Sequence, residues 1–224
     1  MNDDNLSDEE KLEEIREWFQ AVADRYPDID LLQVVNEPLH QPPEYKSALG
    51  GEGATGWDWV INAFQLAREI FPNTTLMIND YGIIGSIQTT QEYLNIINLL
   101  KERNLIDAIG VQGHAFTTKY ASKSTLKQCL DLLASTGLPI YVTELDIDGI
   151  DDEEQLREYK RVFPILYEYL GVKGITLWGC RHGLFHILIL YEVLFLLKKI
   201  FLNKKLLNIN CMIVIQIHLI HLQL

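Results

Sequence analysis

Five apolar runs constrain this chain more than anything else in it. Each is long enough for one buried strand, ends in polar or aromatic residues, and is separated from the next by an amphipathic helical stretch. They are Asp30–Val35 running into Asn36-Glu37-Pro38, Leu76–Tyr81, Ala108–His114, Pro139–Ile147 and Gly174–Trp178. Gln33 is the one polar residue inside the apolar part of the first run. Strands apolar on both faces that alternate with helices belong to a parallel sheet covered by helices.

The intervening stretches carry helical spacing. Ser7-Asp8-Glu9-Glu10 forms a capping box, and Leu12, Ile15, Phe19 and Val22 follow on one face until Pro27 ends the helix. Further helices are predicted from Asp58, over Thr89–Glu102, over Ser124–Thr136 with Gly137 as the cap, and over Glu153–Leu170 with a bend at Pro164. Residues 39–56 read as an irregular Gly- and Pro-rich loop above the strand ends.

Polar residues at the carboxyl ends of successive parallel strands are where a (β/α)8 barrel keeps its active site. A doubly wound open sheet is the alternative, but no Gly-x-Gly-x-x-Gly turn follows any strand. The expected class is therefore α/β, a (β/α)8 TIM barrel represented by about five parallel strands and their helices.

Composition narrows the function. A net charge of -12 offers nothing to neutralise phosphates, so nucleic acid is not an expected partner. Cys129, Cys180 and Cys211 are too widely spaced for a zinc pattern or a disulfide framework, and Cys129 sits on an apolar helical face. The start, Met1-Asn2-Asp3-Asp4, lacks the basic and apolar segments of a signal peptide. Composition shifts near Gly183: residues 184–224 hold 12 Leu and 8 Ile but no Gly, Ala, Pro, Ser or Thr. The run Leu184–Leu197 is interrupted by His186 and Glu192 and is short for a membrane span, so no membrane partner is expected. This tail reads as translation of AT-rich DNA beyond a true exon end or out of frame, with an apolar helix or a structural, membrane-associated role as the other readings. The expected division is a catalytic unit over 1–183 and an atypical tail over 184–224.

Acids at strand ends are the candidate chemistry, because a buried carboxylate without a partner is costly. Glu37 closes the first strand, and Glu144 and Asp146 close the fourth. Two carboxylates from different strand ends of one barrel suit glycoside hydrolysis: one protonates the leaving oxygen while the other attacks the anomeric carbon or activates water. Each candidate also has a plainer reading. Asn36 could cap the turn before Pro38, His114 could be a core histidine, and Trp178, like Trp57 and Trp59, could be packing. His114, Glu144 and Asp146 could also be read as a carboxylate–imidazole metal site. Asp80 is read as closing a turn rather than as part of the site.

The motifs Val34-Val35-Asn36-Glu37, Ile78-Asn79-Asp80-Tyr81, Gly110–His114 and Val142–Ile147 occur in the order seen in glycoside hydrolase family ten, the endo-1,4-β-xylanases. Thr176-Leu177-Trp178-Gly179, with Arg181 after it, resembles that family's last strand. The resemblance covers about residues 5–185 and implies a retaining endo-1,4-β-xylanase without cofactor or metal. It makes Glu37 the acid/base, protonated in the free enzyme, and Glu144 the ionised nucleophile. It makes Asn36 a partner of the sugar 2-hydroxyl, His114 the holder of Glu144, and Asp146 the holder of His114. Gln112, Asn79 and Tyr81 would line the cleft, Trp178 would stack on a sugar, and Arg181 would sit at the rim. Xylan or xylo-oligosaccharides are the implied partners, and secretion the implied location. The family's first three strands have no counterpart before Ser7. This chain is therefore expected to be a fragment, with a truncated xylan-binding product or another retaining β-glycanase as alternatives.

Overall fold

The structure, a computed structural model, describes residues 5–178 and the backbone of 215–216. Its elements in chain order are α1 (Asp8–Arg25), β1 (Leu31–Asn36), α2 (Asp58–Ile70), β2 (Thr75–Asn79), α3 (Ile87–Lys101), β3 (Ala108–Val111), α4 (Ala115–Thr118), α5 (Lys123–Ala134), β4 (Ile140–Leu145), α6 (Asp152–Glu168), β5 (Val172–Leu177) and β6 (Ile215–Gln216). All described pairings are parallel, in the order β5-β4-β3-β2-β1-β6. Each of the first five strands thus lies beside its neighbour in sequence, as in a partial TIM barrel.

Local sequence explains most boundaries. The capping box at Ser7 forms in full: Glu10 N–H donates to Ser7 Oγ and Ser7 N–H to the Glu10 carboxylate. Ser86 caps α3 and Ser122 caps α5, so both helices start earlier than hydrophobic spacing alone indicates. Pro164 lies inside α6. The stretch expected to be irregular contains a 3-10 helix, Glu44–Leu49, and a second one covers Ile83–Gly85.

The two faces of the sheet differ. The outer face carries the main core, where Leu32, Val34, Ile78, Ile109, Val111 and Val142 meet Phe19, Phe64, Ile97, Leu130 and Leu166 from the helices. Leu31, Met77 and Ala108, with Tyr141 against them, form a separate small cluster on the inner face. Side chains on one face of a strand recur every second residue. Two or four residues further along the same face come Asn79, Gln112 and Thr143, so the inner face passes from apolar to polar toward the carboxyl ends. That polar layer is where the candidate residues converge.

Candidate active site

Two strand irregularities aim the carboxylates. In β1 the register with β2 jumps between Gln33 and Val35, which sets Asn36 rather than Val35 opposite Asn79. In β4 the register with β5 jumps between Val142 and Leu145. Successive residues of a regular strand point to opposite faces, yet Thr143 and Glu144 both reach the Asn79 side chain. An extra residue in one strand of a pair re-aims side chains in this way.

The network that results is continuous. Asn79 Nδ2 donates to Asn36 Oδ1 at 3.0 Å and to Glu144 Oε1 at 3.1 Å, while its Oδ1 accepts from the Thr143 hydroxyl at 2.7 Å. Gln112 Nε2 donates to Glu37 Oε1 at 2.8 Å and, more loosely, to Asn36 Oδ1 at 3.3 Å. Gln33 Nε2 also donates to Asn36 Oδ1, at 2.9 Å. Three donors on one oxygen fix which end of the Asn36 amide is which, and the turn-capping reading of Asn36 does not apply. Asn79 and Gln112 are 0% and 1% exposed, so this amide layer has little freedom to rearrange.

Glu144 and Glu37 occupy unlike environments. Glu144 is buried at 4% exposure. Its Oε2 lies 3.4 Å from His114 Nε2, and His114 Nδ1 lies 2.7 Å from Asp146 Oδ2. Asp146 is held in turn by the Ala115 N–H at the start of α4. Burial alone lowers the His114 pKa, but the hydrogen bonds and charges of Asp146 and Glu144 outweigh it and raise it to about 9. At neutral pH His114 is then an imidazolium, able to donate toward both carboxylates. No group of three or more His, Cys, Asp or Glu among the described residues is arranged to hold a metal ion.

Glu37 is half-buried on the turn after β1, with φ at 54°, one of two positive-φ residues other than glycine among those described. Its N–H donates to Asn79 O at 2.8 Å, and its own carbonyl accepts from Gln41 N–H at 2.8 Å. Tyr81 stands nearby: burial first, then the charges of Glu37 and Asp80, push its phenol pKa up. The Tyr81 ring stacks on His40 (centroids 3.9 Å) and meets Phe116 edge-on at 5.7 Å, and Phe116 stacks on His114 at 5.5 Å.

The structure therefore brings together Asn36, Glu37, Asn79, Tyr81, Gln112, His114, Glu144 and Asp146. Trp178 follows β5 with its backbone N–H on Leu145 O, and its side chain, 42% exposed, is not among the hydrogen-bonded groups of this network. Arg181 and nearly all of the 184–224 tail lie outside the described residues. Sequence reasoning passed over Gln33, His40, Thr143 and Phe116. Gln33 offered a signal, a polar residue inside an apolar strand; the others offered none.

Comparison with known proteins gives matches over the same part of the chain. The family model described as glycosyl hydrolase family 10 matches residues 1–183. Endo-1,4-beta-xylanase B of Cellvibrio japonicus is 38% identical over 179 residues, covering 78% of this chain and 28% of that protein. Endo-1,4-beta-xylanase A of Caldicellulosiruptor saccharolyticus is 30% identical, with 80% and 57% covered. Among solved structures, the GH10 protein of Paenibacillus barcinonensis superposes with a TM-score of 0.65 at 26% identity, covering 78% of this chain and 57% of that one. Xylanase 10B of Thermotoga petrophila, solved with xylobiose, gives 0.64 at 25% identity, with 78% and 56% covered. The chain thus spans between about a quarter and about three fifths of the length of these relatives.

Proposed function

The chain belongs to glycosyl hydrolase family 10, and from that membership we propose that its site carries out the chemistry of a retaining endo-1,4-β-xylanase. The observation that carries the reading is the unequal treatment of two carboxylates joined through one amide layer. Glu144 is buried and faced by an imidazolium, whereas Glu37 is half-buried and held through Gln112.

In this reading Glu37 protonates the glycosidic oxygen as the Glu144 carboxylate attacks the anomeric carbon, giving a glycosyl ester. Glu37, now ionised, takes a proton from the water that cleaves the ester, and Glu144 leaves as a carboxylate. Asn36, its oxygen occupied by three donors, turns its Nδ2 hydrogens to the sugar 2-hydroxyl. His114, itself held by Asp146, orients Glu144. Gln112, Asn79 and Tyr81 line the cleft, and Trp178 offers a ring face to a neighbouring sugar. The catalytic unit is assigned to 1–183, with 184–224 an atypical tail whose residues 215–216 pair with β1. The substrate is xylan or xylo-oligosaccharide, and secretion is the location this reading favours. No helix among the described residues is long and apolar enough to cross a membrane.

The full chain assayed for reducing sugar released from xylan, beside Glu144→Ala, tests the proposal. Release is expected from the parent chain alone. Equal signal from both would sink the assignment, and saturable xylan binding without release would favour a binding role.

A further inference from the structure

Asp80 is buried at 0% exposure, although its pKa is raised by that burial against the pull of its hydrogen bonds. The partners of its carboxylate belong to two short segments. Oδ2 accepts from Leu39 N–H at 2.9 Å. Oδ1 accepts from Tyr81 N–H at 2.7 Å and lies 2.7 Å from His40 Nδ1. The first segment, 37–41, is the turn in which Glu37 adopts its left-handed backbone. That conformation costs on the order of 1–3 kcal/mol in a residue with a Cβ and persists only where the surroundings impose it. Two of the clamps on the turn, at Leu39 and His40, come from Asp80. His40 spends its other surface on Tyr81, stacked at 3.9 Å with the planes 22° apart. One carboxylate therefore governs both the turn that aims Glu37 and the ring beside it, without touching the cleft.

We propose that Asp80 and His40 form a positioning pair that fixes the Glu37 turn and the Tyr81 ring for proton transfer to the leaving sugar. This rests on the reading of Glu37 as the acid. An amide in place of Asp80 cannot accept on both sides: with its oxygen toward His40 and Tyr81, its NH₂ faces the Leu39 N–H, and donor meets donor. A phenyl ring in place of His40 keeps the stack and loses the bond.

Asp80→Asn and His40→Phe in the full chain are compared on xylan and on an aryl xylobioside whose leaving group departs without protonation. Displacing the acid by about 1 Å costs up to about 100-fold where protonation is needed. The expected result is a roughly 10- to 100-fold loss of kcat/KM on xylan and less than about threefold on the aryl substrate. Loss on both substrates alike would mark a merely structural role and overturn the proposal. Because the parent chain's activity is itself under test, the ¹³C signal of the Glu37 carboxyl at fixed pH is followed in parallel. It should move in both variants while that of Glu144 stays. A Glu37 signal unmoved in both overturns the pair even if xylan is cleaved. A parent chain inactive on both substrates refutes the xylanase reading alone, and the carboxyl signal then decides for or against the pair.

Discussion

Glu37 and Glu144 differ in what surrounds them, and single substitutions should expose that. Removing a general acid costs about 10²–10⁴-fold where protonation limits the rate. Glu37→Ala should lose that much on xylan, keep the first step on an aryl glycoside with a good leaving group, and regain turnover with azide as a glycosyl azide of retained configuration. Product analysis by NMR checks this, and an azide product of inverted configuration would reverse the roles. His114 makes a pH prediction. Its folded pKa, about 9, lies above the 6.5 of an unperturbed imidazole, so its contribution to stability is fully present below about pH 6.5. It is lost as pH rises through about 9. Urea midpoints of the parent and of His114→Asn, measured from pH 6 to 10, should converge at the alkaline end; a constant gap would show that the proton is not involved.

At the scale of elements, the glycine in the middle of β3 connects packing to the site. A Cβ on Gly110 would stand 2.7 Å from Asn79 Oδ1 and 2.8 Å from Ile78 O. The Asn79 amide, which reaches Asn36, Thr143 and Glu144, can occupy its place only while β3 lacks a side chain there. Overpacking of this kind costs about 1–3 kcal/mol. Gly110→Ala should lower the urea unfolding free energy by that amount and reduce release of reducing sugar from xylan; an unchanged unfolding free energy would show that Asn79 can give way. The strands and their polar ends were legible because apolar runs closing in Asn-Glu, Asn-Asp-Tyr, Gln-Gly-His and Glu-Leu-Asp have few structural uses. The two register jumps were not legible, since Val34 and Val35, or Thr143 and Glu144, look in sequence like residues on opposite faces. The link from Asp80 to His40 spans 40 residues and exists only because β1 and β2 are adjacent. Asp80 thus does more than close the turn it was read as closing.

For the whole molecule, the edge of β1 is the decisive boundary. Residues 215–216, from the tail whose composition looked foreign, pair with Leu32 and Gln33 there. An uncovered parallel edge is a template for another chain. Ending the chain at residue 183 should therefore increase self-association, read as a concentration-dependent sedimentation coefficient; a monomer at every concentration would show that the pairing protects nothing. The strand order has a further consequence, for synthesis. From β1 to β5 every strand docks on the one made just before it, so each new βα unit can add to a surface already formed. Domains assemble from the amino end as the ribosome delivers roughly 5–20 residues per second. The eight residues that meet at the site all precede Ile147. Their network can close while the tail is still being translated, and among the described pairings the β1–β6 contact is the last to become possible.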